Sequence, residues 1–192
     1  MILDHSPCHH PAQRPVPSHH NPSSIQTLGS NPHCMFKERS LHAELWVPRT
    51  PDEVFPFFAD AANLNVLTPP WLDFRILTPL PIAMQLGALI DYRIGLKGIP
   101  MRWKTLISRW NPPHAFVDEQ IKGPYLLWHH THEFVGAVQD GRMGTRCIDH
   151  VRYKHMGGPI AEALLVRRDL ERIFAYRRQK MLDLFQPVQL SR

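Results

Sequence analysis

The sequence predicts an α+β domain in which a curved antiparallel sheet of about seven strands closes around a long C-terminal helix, with two short helices after the first strand. Two observations carry this. Seven segments alternate apolar and polar residues with period two and are joined by short turn signals. The stretch 160–185 then holds no glycine or proline and repeats apolar residues at helical spacing.

The first strand is Ser40-Leu41-His42-Ala43-Glu44-Leu45-Trp46-Val47, which alternates. Thr50-Pro51-Asp52-Glu53 follows. Thr50 suits an N-cap, Pro51 the first helical position, and Glu53 completes a capping box, so a short helix is expected over 51–59. A second helical turn over 61–67 is stopped by Pro69-Pro70. Six further strands are expected over 73–77, 89–96, 101–110, 116–121, 126–135 and 145–153. The segments Lys97-Gly98-Ile99-Pro100, Asn111-Pro112-Pro113, Lys122-Gly123-Pro124 and Gln139-Asp140-Gly141 punctuate them. Such short connections imply an antiparallel meander.

Gly157-Gly158-Pro159 ends the sheet. In the helix expected over 160–185, Ala163, Val166, Leu170, Ile173, Phe174, Arg177, Met181 and Phe185 form one mostly apolar stripe, and both charge signs occupy the other faces. This is the pattern of a helix covering a core and not of one lying on a membrane. A sheet curved around such a helix encloses a cavity, where a ligand would sit.

Composition narrows the classes. With 43% hydrophobic and 20% charged residues in 192, the chain is long enough for one domain with a substantial core. No run of 18 apolar residues suggests a membrane span, so no stable membrane insertion is expected. The net charge of +5 is dispersed among acids, without a basic stripe or an aromatic-interleaved basic pattern, so nucleic acid is not expected as a partner. Cys8, Cys34 and Cys147 are odd in number and unpatterned, which suits reduced thiols and a cytoplasmic location.

Residues 1–34 hold six prolines and six histidines but one acid and one base, with no apolar periodicity. Residues 1–35 are therefore expected to be a disordered tail, with Met35 a candidate for the true start, and 36–187 to be the domain. The tail's Cys8-His9-His10 matches no zinc spacing.

Several stretches together resemble the START/Bet v 1-like (SRPBCC) superfamily, in particular its bacterial ligand-binding SRPBCC domains related to cyclase/dehydrase proteins. They are Pro51-Asp52-Glu53-Val54-Phe55 with Asn63-Leu64, Leu67-Thr68-Pro69-Pro70-Trp71, Ile90-Asp91-Tyr92-Arg93 and Arg102-Trp103-Lys104-Thr105. Gly123-Pro124-Tyr125, Trp128-His129-His130-Thr131-His132-Glu133-Phe134 and the run 165–174 complete the set. The resemblance spans about 38–185 and implies a helix-grip fold with an apolar ligand cavity. It implies no single activity, because the superfamily contains lipid carriers, hormone receptors and polyketide cyclases.

Period two also sorts the strands into faces. Tyr92, Trp103, Phe116 with Asp118 and Gln120, Trp128 with His130 and His132, and Asp149 with Tyr153 share faces with large apolar neighbours and are expected to line the cavity. Leu170 and Phe174 would close it from the helix. Buried polar groups need partners. Asp118, His130, His132 and Asp149 should satisfy one another across strands, or grip the polar end of a ligand. His130 and His132 on one face, with Asp118 or Asp149 as a third donor, also suggest a metal, but no ligand-spacing motif supports one, and no metal or cofactor is expected.

No nucleophile elbow, dinucleotide fingerprint or phosphate loop is present. The expected function is therefore binding or carriage of a hydrophobic small molecule, such as a lipid, polyketide or isoprenoid, with enzymatic activity the less expected outcome. The alternative is a cyclase, dehydratase or isomerase in which His130, His132, Asp118 or Asp149 serves as acid or base. A third reading fills the cavity with the protein's own side chains. A ligand pocket above roughly 300 Å3 would argue against that one. The oligomeric state is not legible.

Overall fold

The structure, a computed structural model, describes residues 36–157 and 165–185. The expected tail, the first turn of the C-terminal helix and the domain's final residues lie outside the described residues.

One seven-stranded antiparallel sheet forms the body. Its strands are β1 (Arg39–Val47), β2 (Arg75–Ile76), β3 (Leu89–Leu96), β4 (Ile99–Asn111), β5 (Ala115–Lys122), β6 (Leu127–Gln139) and β7 (Arg142–Lys154). Their spatial order is β1-β7-β6-β5-β4-β3-β2, so all neighbours from β2 to β7 are sequential and β1 closes the far edge against β7. The helices are α1 (Pro51–Phe58), α2 (Leu64–Leu67) and α3 (Arg167–Phe185), with 3-10 turns at Ala61–Asn63 and Pro70–Leu72. This is the helix-grip fold: a curved sheet around a long C-terminal helix, with two short helices after the first strand.

Local chemistry accounts for the elements. The Glu53 carboxylate accepts hydrogen bonds from the Thr50 backbone N–H at 2.8 Å and from its hydroxyl at 3.0 Å, which fixes the start of α1. Asp60 accepts from the Ala62 N–H at 2.9 Å and starts the following 3-10 turn. Register shifts in the β4–β5 pairing, at Lys104/Thr105 and Ile107/Arg109, are bulges that bend the sheet over its concave face.

Strand limits differ most from expectation in two places, besides β4 taking in Ile99-Pro100 and Asn111 from the expected turns. The strand expected over 73–77 is reduced to Arg75–Ile76. Asp73 sits at φ 38 and ends the preceding 3-10 turn, so pairing with β3 begins only after it. The strands expected to stop at 135 and resume at 145 instead run on to a two-residue turn. Asp140 (φ 51) and Gly141 (φ 73) adopt the left-handed conformation that such a hairpin turn requires, and pairing continues to Gln139↔Arg142.

Two apolar clusters fill the concavity. One joins Val47, Val54, Phe55, Ile107 and Phe134 to Met181 and Phe185 of α3. The other joins Val151 and Tyr153 to Leu170. The histidines bridge them. His132 stacks on Phe116 at 4.1 Å, while His130 meets Trp128 and Phe174 edge-on at 6.2 and 5.7 Å. No helix among the described residues is long and apolar enough to cross a membrane.

Candidate active site

Three central strands place the polar groups. The ladders set Asp118 of β5 opposite His130 of β6, and His132 of β6 opposite Asp149 of β7. The side chains, however, also bond diagonally. His132 Nε2 lies 2.7 Å from Asp118 Oδ2, and His130 Nε2 lies 2.9 Å from Asp149 Oδ1. The diagonal crossing brings the two imidazoles to 3.7 Å between ring centroids. His132 Nδ1 is also 2.9 Å from Asp149 Oδ1. His130 Nδ1 faces Asp118 Oδ2 at 3.5 Å, beyond the usual N–H···O range.

Arg177 closes the group from the helix. Its Nε donates to Asp149 Oδ2 and its Nη2 to Asp149 Oδ1, both at 3.1 Å, a two-pronged contact that fixes the carboxylate. The guanidinium lies over the Phe58 ring at 5.2 Å. Sequence reasoning missed Arg177 as a site residue. Its signal was present, since it is the one charged residue on the apolar stripe of the helix.

Opposing forces set the protonation states. Burial pushes the Asp149 carboxyl upward, but the Arg177 charge and hydrogen bonds from both histidines overcome it and hold the group well below the usual carboxylate range. Burial likewise opposes ionisation of Asp118, and the charges of His130 and His132, with the His132 hydrogen bond, win and lower it. Burial and the neighbouring His132 charge depress His130 below an ordinary histidine. For His132 burial is overcome by hydrogen bonds to Asp118 and Asp149, and its pKa rises. The two imidazoles are thus pushed apart: the surroundings favour the neutral form of His130 and the protonated form of His132.

A chamber of about 200 Å3 opens against this group, below the roughly 300 Å3 that would argue against a cavity filled by the protein's own side chains. Tyr92, Trp103, Phe116 and Trp128 line it with Asp118, His130 and His132 from the sheet, and Leu170, Phe174 and Arg177 from α3. The Tyr92 hydroxyl bonds Thr105 Oγ1 at 3.1 Å, and burial, then the Asp118 charge, keeps this phenol neutral. Trp103 stacks on Tyr92 and meets Trp128 edge-on at 5.3 Å. Its indole N–H is buried without a hydrogen-bond partner among the described residues.

Three sequence candidates sit elsewhere. The Gln120 amide donates to the Tyr125 carbonyl at 2.6 Å and its oxygen accepts the Tyr125 N–H at 3.2 Å, tying down the β5–β6 turn. Asp149 touches the histidines from behind and borders a separate polar groove of about 660 Å3 between β1 and α3. Tyr153 packs with Val151 and Leu170 and borders the same groove.

This arrangement corrects the expectation that enzymatic activity is the less expected outcome. Buried, hydrogen-bonded His130, His132, Asp118 and Asp149 have the residue types and arrangement of an acid–base site, although no linear motif announces them.

The profile of a family described as polyketide cyclase / dehydrase and lipid transport matches residues 47–173. The chain belongs to this family. Solved structures of the START/Bet v 1-like superfamily share its fold at low identity. Truncated norcoclaurine synthase from Thalictrum flavum is 16% identical, covers 77% of this chain and 96% of its own, and superposes with a TM-score of 0.55. Major latex-like protein 151 from Panax ginseng is 8% identical over 78% of this chain and 99% of its own, with a TM-score of 0.55. Protein Ms6760 from Mycobacterium smegmatis is 15% identical over 76% and 89%, with a TM-score of 0.53. No curated protein sequence matches this one.

Proposed function

We propose that this member of the polyketide cyclase / dehydrase family is an acid–base enzyme acting on a small apolar carbonyl compound, as a cyclase, dehydratase or isomerase. One observation carries the reading. Among the described residues, His130 Nδ1 is the one imidazole nitrogen of the cluster without a hydrogen bond, and its residue lines the apolar chamber.

In this reading His130 Nε2–H donates to Asp149, which fixes the ring and its tautomer and leaves Nδ1 as a base. Nδ1 takes a proton from the carbon beside the substrate carbonyl. The electron pair moves onto the carbonyl oxygen, and Arg177, with His132 in its favoured protonated form, is available to stabilise it. Returning the proton to another carbon isomerises the substrate, and delivering it to a departing hydroxide releases water. Aromatic walls from Tyr92, Trp103 and Trp128 suit a planar apolar body. The chamber is below the roughly 300 Å3 at which drug-sized pockets begin, which favours a compact substrate over a long-chain lipid. A synthase is found on the same fold in Thalictrum flavum, so the fold accommodates catalysis.

The test is hydrogen–deuterium exchange at carbon in a set of enolisable aromatic ketones, 2-tetralone among them, followed by NMR in heavy water. The chain should accelerate exchange over buffer, and His130→Gln should lower that acceleration by about 100-fold or more. Exchange no faster than buffer across the set, or undiminished in His130→Gln, rejects the reading.

A further inference from the structure

The cluster has a second side. His130 Nε2 and His132 Nδ1 each lie 2.9 Å from Asp149 Oδ1, so both rings direct one nitrogen at the same carboxylate oxygen. Their other nitrogens, His130 Nδ1 and His132 Nε2, both face Asp118 Oδ2, at 3.5 and 2.7 Å. Arg177 Nη2 also stands 3.3 Å from His132 Nδ1, so that nitrogen carries its N–H toward Asp149 only when Arg177 gives its protons to Asp149 alone. In that tautomer two imidazole lone pairs and a carboxylate converge on one point. That is an electron-rich corner which a single proton satisfies only in part.

We propose that Asp118, His130 and His132 form a three-donor site for a divalent transition-metal ion, open toward the chamber. Their donor atoms lie within 4.8 Å of one another. At metal–ligand distances of about 2.0–2.2 Å, adjacent donors stand roughly 3 to 3.5 Å apart, and the contacts of 2.7 and 3.5 Å bracket that spacing. Two imidazoles and one carboxylate from the protein leave further coordination positions, and all three residues line the chamber, so those positions face it. Histidine ligands are ordinarily oriented by a carboxylate on the distal nitrogen, and here Asp149 serves both rings at once. Arg177 pairs with Asp149 through two hydrogen bonds and reaches within 3.3 Å of His132 Nδ1, so its charge is taken up by Asp149 and the ion's own counter-charge is Asp118.

This inference goes beyond the acid–base reading and does not require it. The ion would occupy the place of the His132 proton and engage His130 Nδ1, so the loaded and unloaded forms carry different chemistry. Binding is measured without any substrate, and its failure leaves the proton-exchange test above untouched.

The experiment is calorimetric titration of the full, metal-stripped chain with Zn2+. The tail histidines can take up zinc as well, so the readout is the difference between variants. Asp118→Asn and His132→Gln should each bind one ion per chain fewer than the parent. Asp149→Asn, which keeps all three donors, should weaken that same ion by about 10- to 100-fold. His129→Gln, on the opposite face of the same strand, should bind as the parent does. Anomalous scattering at the zinc edge from a soaked crystal gives a reading free of any folding defect in the variants. A peak between Asp118, His130 and His132 supports the site. Equal stoichiometry in parent and folded variants, or a peak only elsewhere, overturns it.

Discussion

Arg177 on the C-terminal helix grips Asp149 on the last strand through two hydrogen bonds of 3.1 Å, with 12% and 10% of the two side chains exposed. The pair ties helix to sheet and supports the histidines from behind. Arg177→Met keeps much of the volume but leaves Asp149 charged and nearly buried. The variant should lose about 3–5 kcal/mol by chemical denaturation. Adding Asp149→Asn should restore part of the loss. Additive losses would mean the two residues act independently.

The cluster should shape the acid limb of stability. Asp118 and Asp149 titrate below the ordinary carboxyl value when folded. Each therefore contributes stability that is present above the unfolded value and lost as pH falls through the folded one. His132 is raised, so its contribution is present below the unfolded value of 6.5 and lost as pH rises through the folded value. His130 is lowered and acts in the opposite sense, which sets the two histidines against each other around neutrality. Urea midpoints should thus change little near neutral pH and fall steeply below about pH 4. Asp149→Asn should start lower and fall less steeply. An unchanged acid slope would show that the carboxylates which matter lie elsewhere.

Leu170 is 3% exposed where the helix meets Val151 and Tyr153. Leu170→Ala should cost about 2–5 kcal/mol in the same denaturation assay. An unaltered midpoint would mean that the helix covers the sheet without being anchored there.

Gly144 packs so tightly beneath β1 that an added Cβ would overlap the Trp46 ring and the Val47 carbonyl. Backbone cannot yield as a flexible side chain does. Gly144→Ala should destabilise by about 1–3 kcal/mol, whereas Gly136→Ala, with only Pro51 nearby at 4.0 Å, should change little. Equal melting temperatures for the two variants would refute the packing argument.

Much of the fold was legible because its signals are local. Alternation marks the strands, the Thr50/Glu53 pair marks the first helix, and a run free of glycine and proline marks the last. The same alternation put His130 and His132 on one face. What it could not supply was the diagonal bonding. Facing pairs follow from register, but which carboxylate each imidazole reaches depends on side-chain torsions and on Arg177 pulling Asp149 toward the helix. Arg177 itself was hidden because its spacing is that of the apolar stripe, and a helical pattern does not tell an anchored guanidinium from one that reaches solvent. Gln120 shows the converse. It shares a face with Asp118, yet the nearby Gly123-Pro124-Tyr125 turn captures its amide.

The turn at Asp140-Gly141 has a bearing on the polar cluster well down the hairpin from it. Both histidines and Asp149 ride on β6 and β7, whose pairing runs unbroken from Leu127↔Lys154 to Gln139↔Arg142. A strand shifted by one residue presents its opposite set of side chains, which here would send both imidazoles outward and bring His129 and Thr131 in. The two-residue turn therefore acts as a counter for the buried His–Asp cluster. A lineage whose longer turn shifted the pairing by one residue would keep every letter of that cluster and still lose the constellation those letters spell.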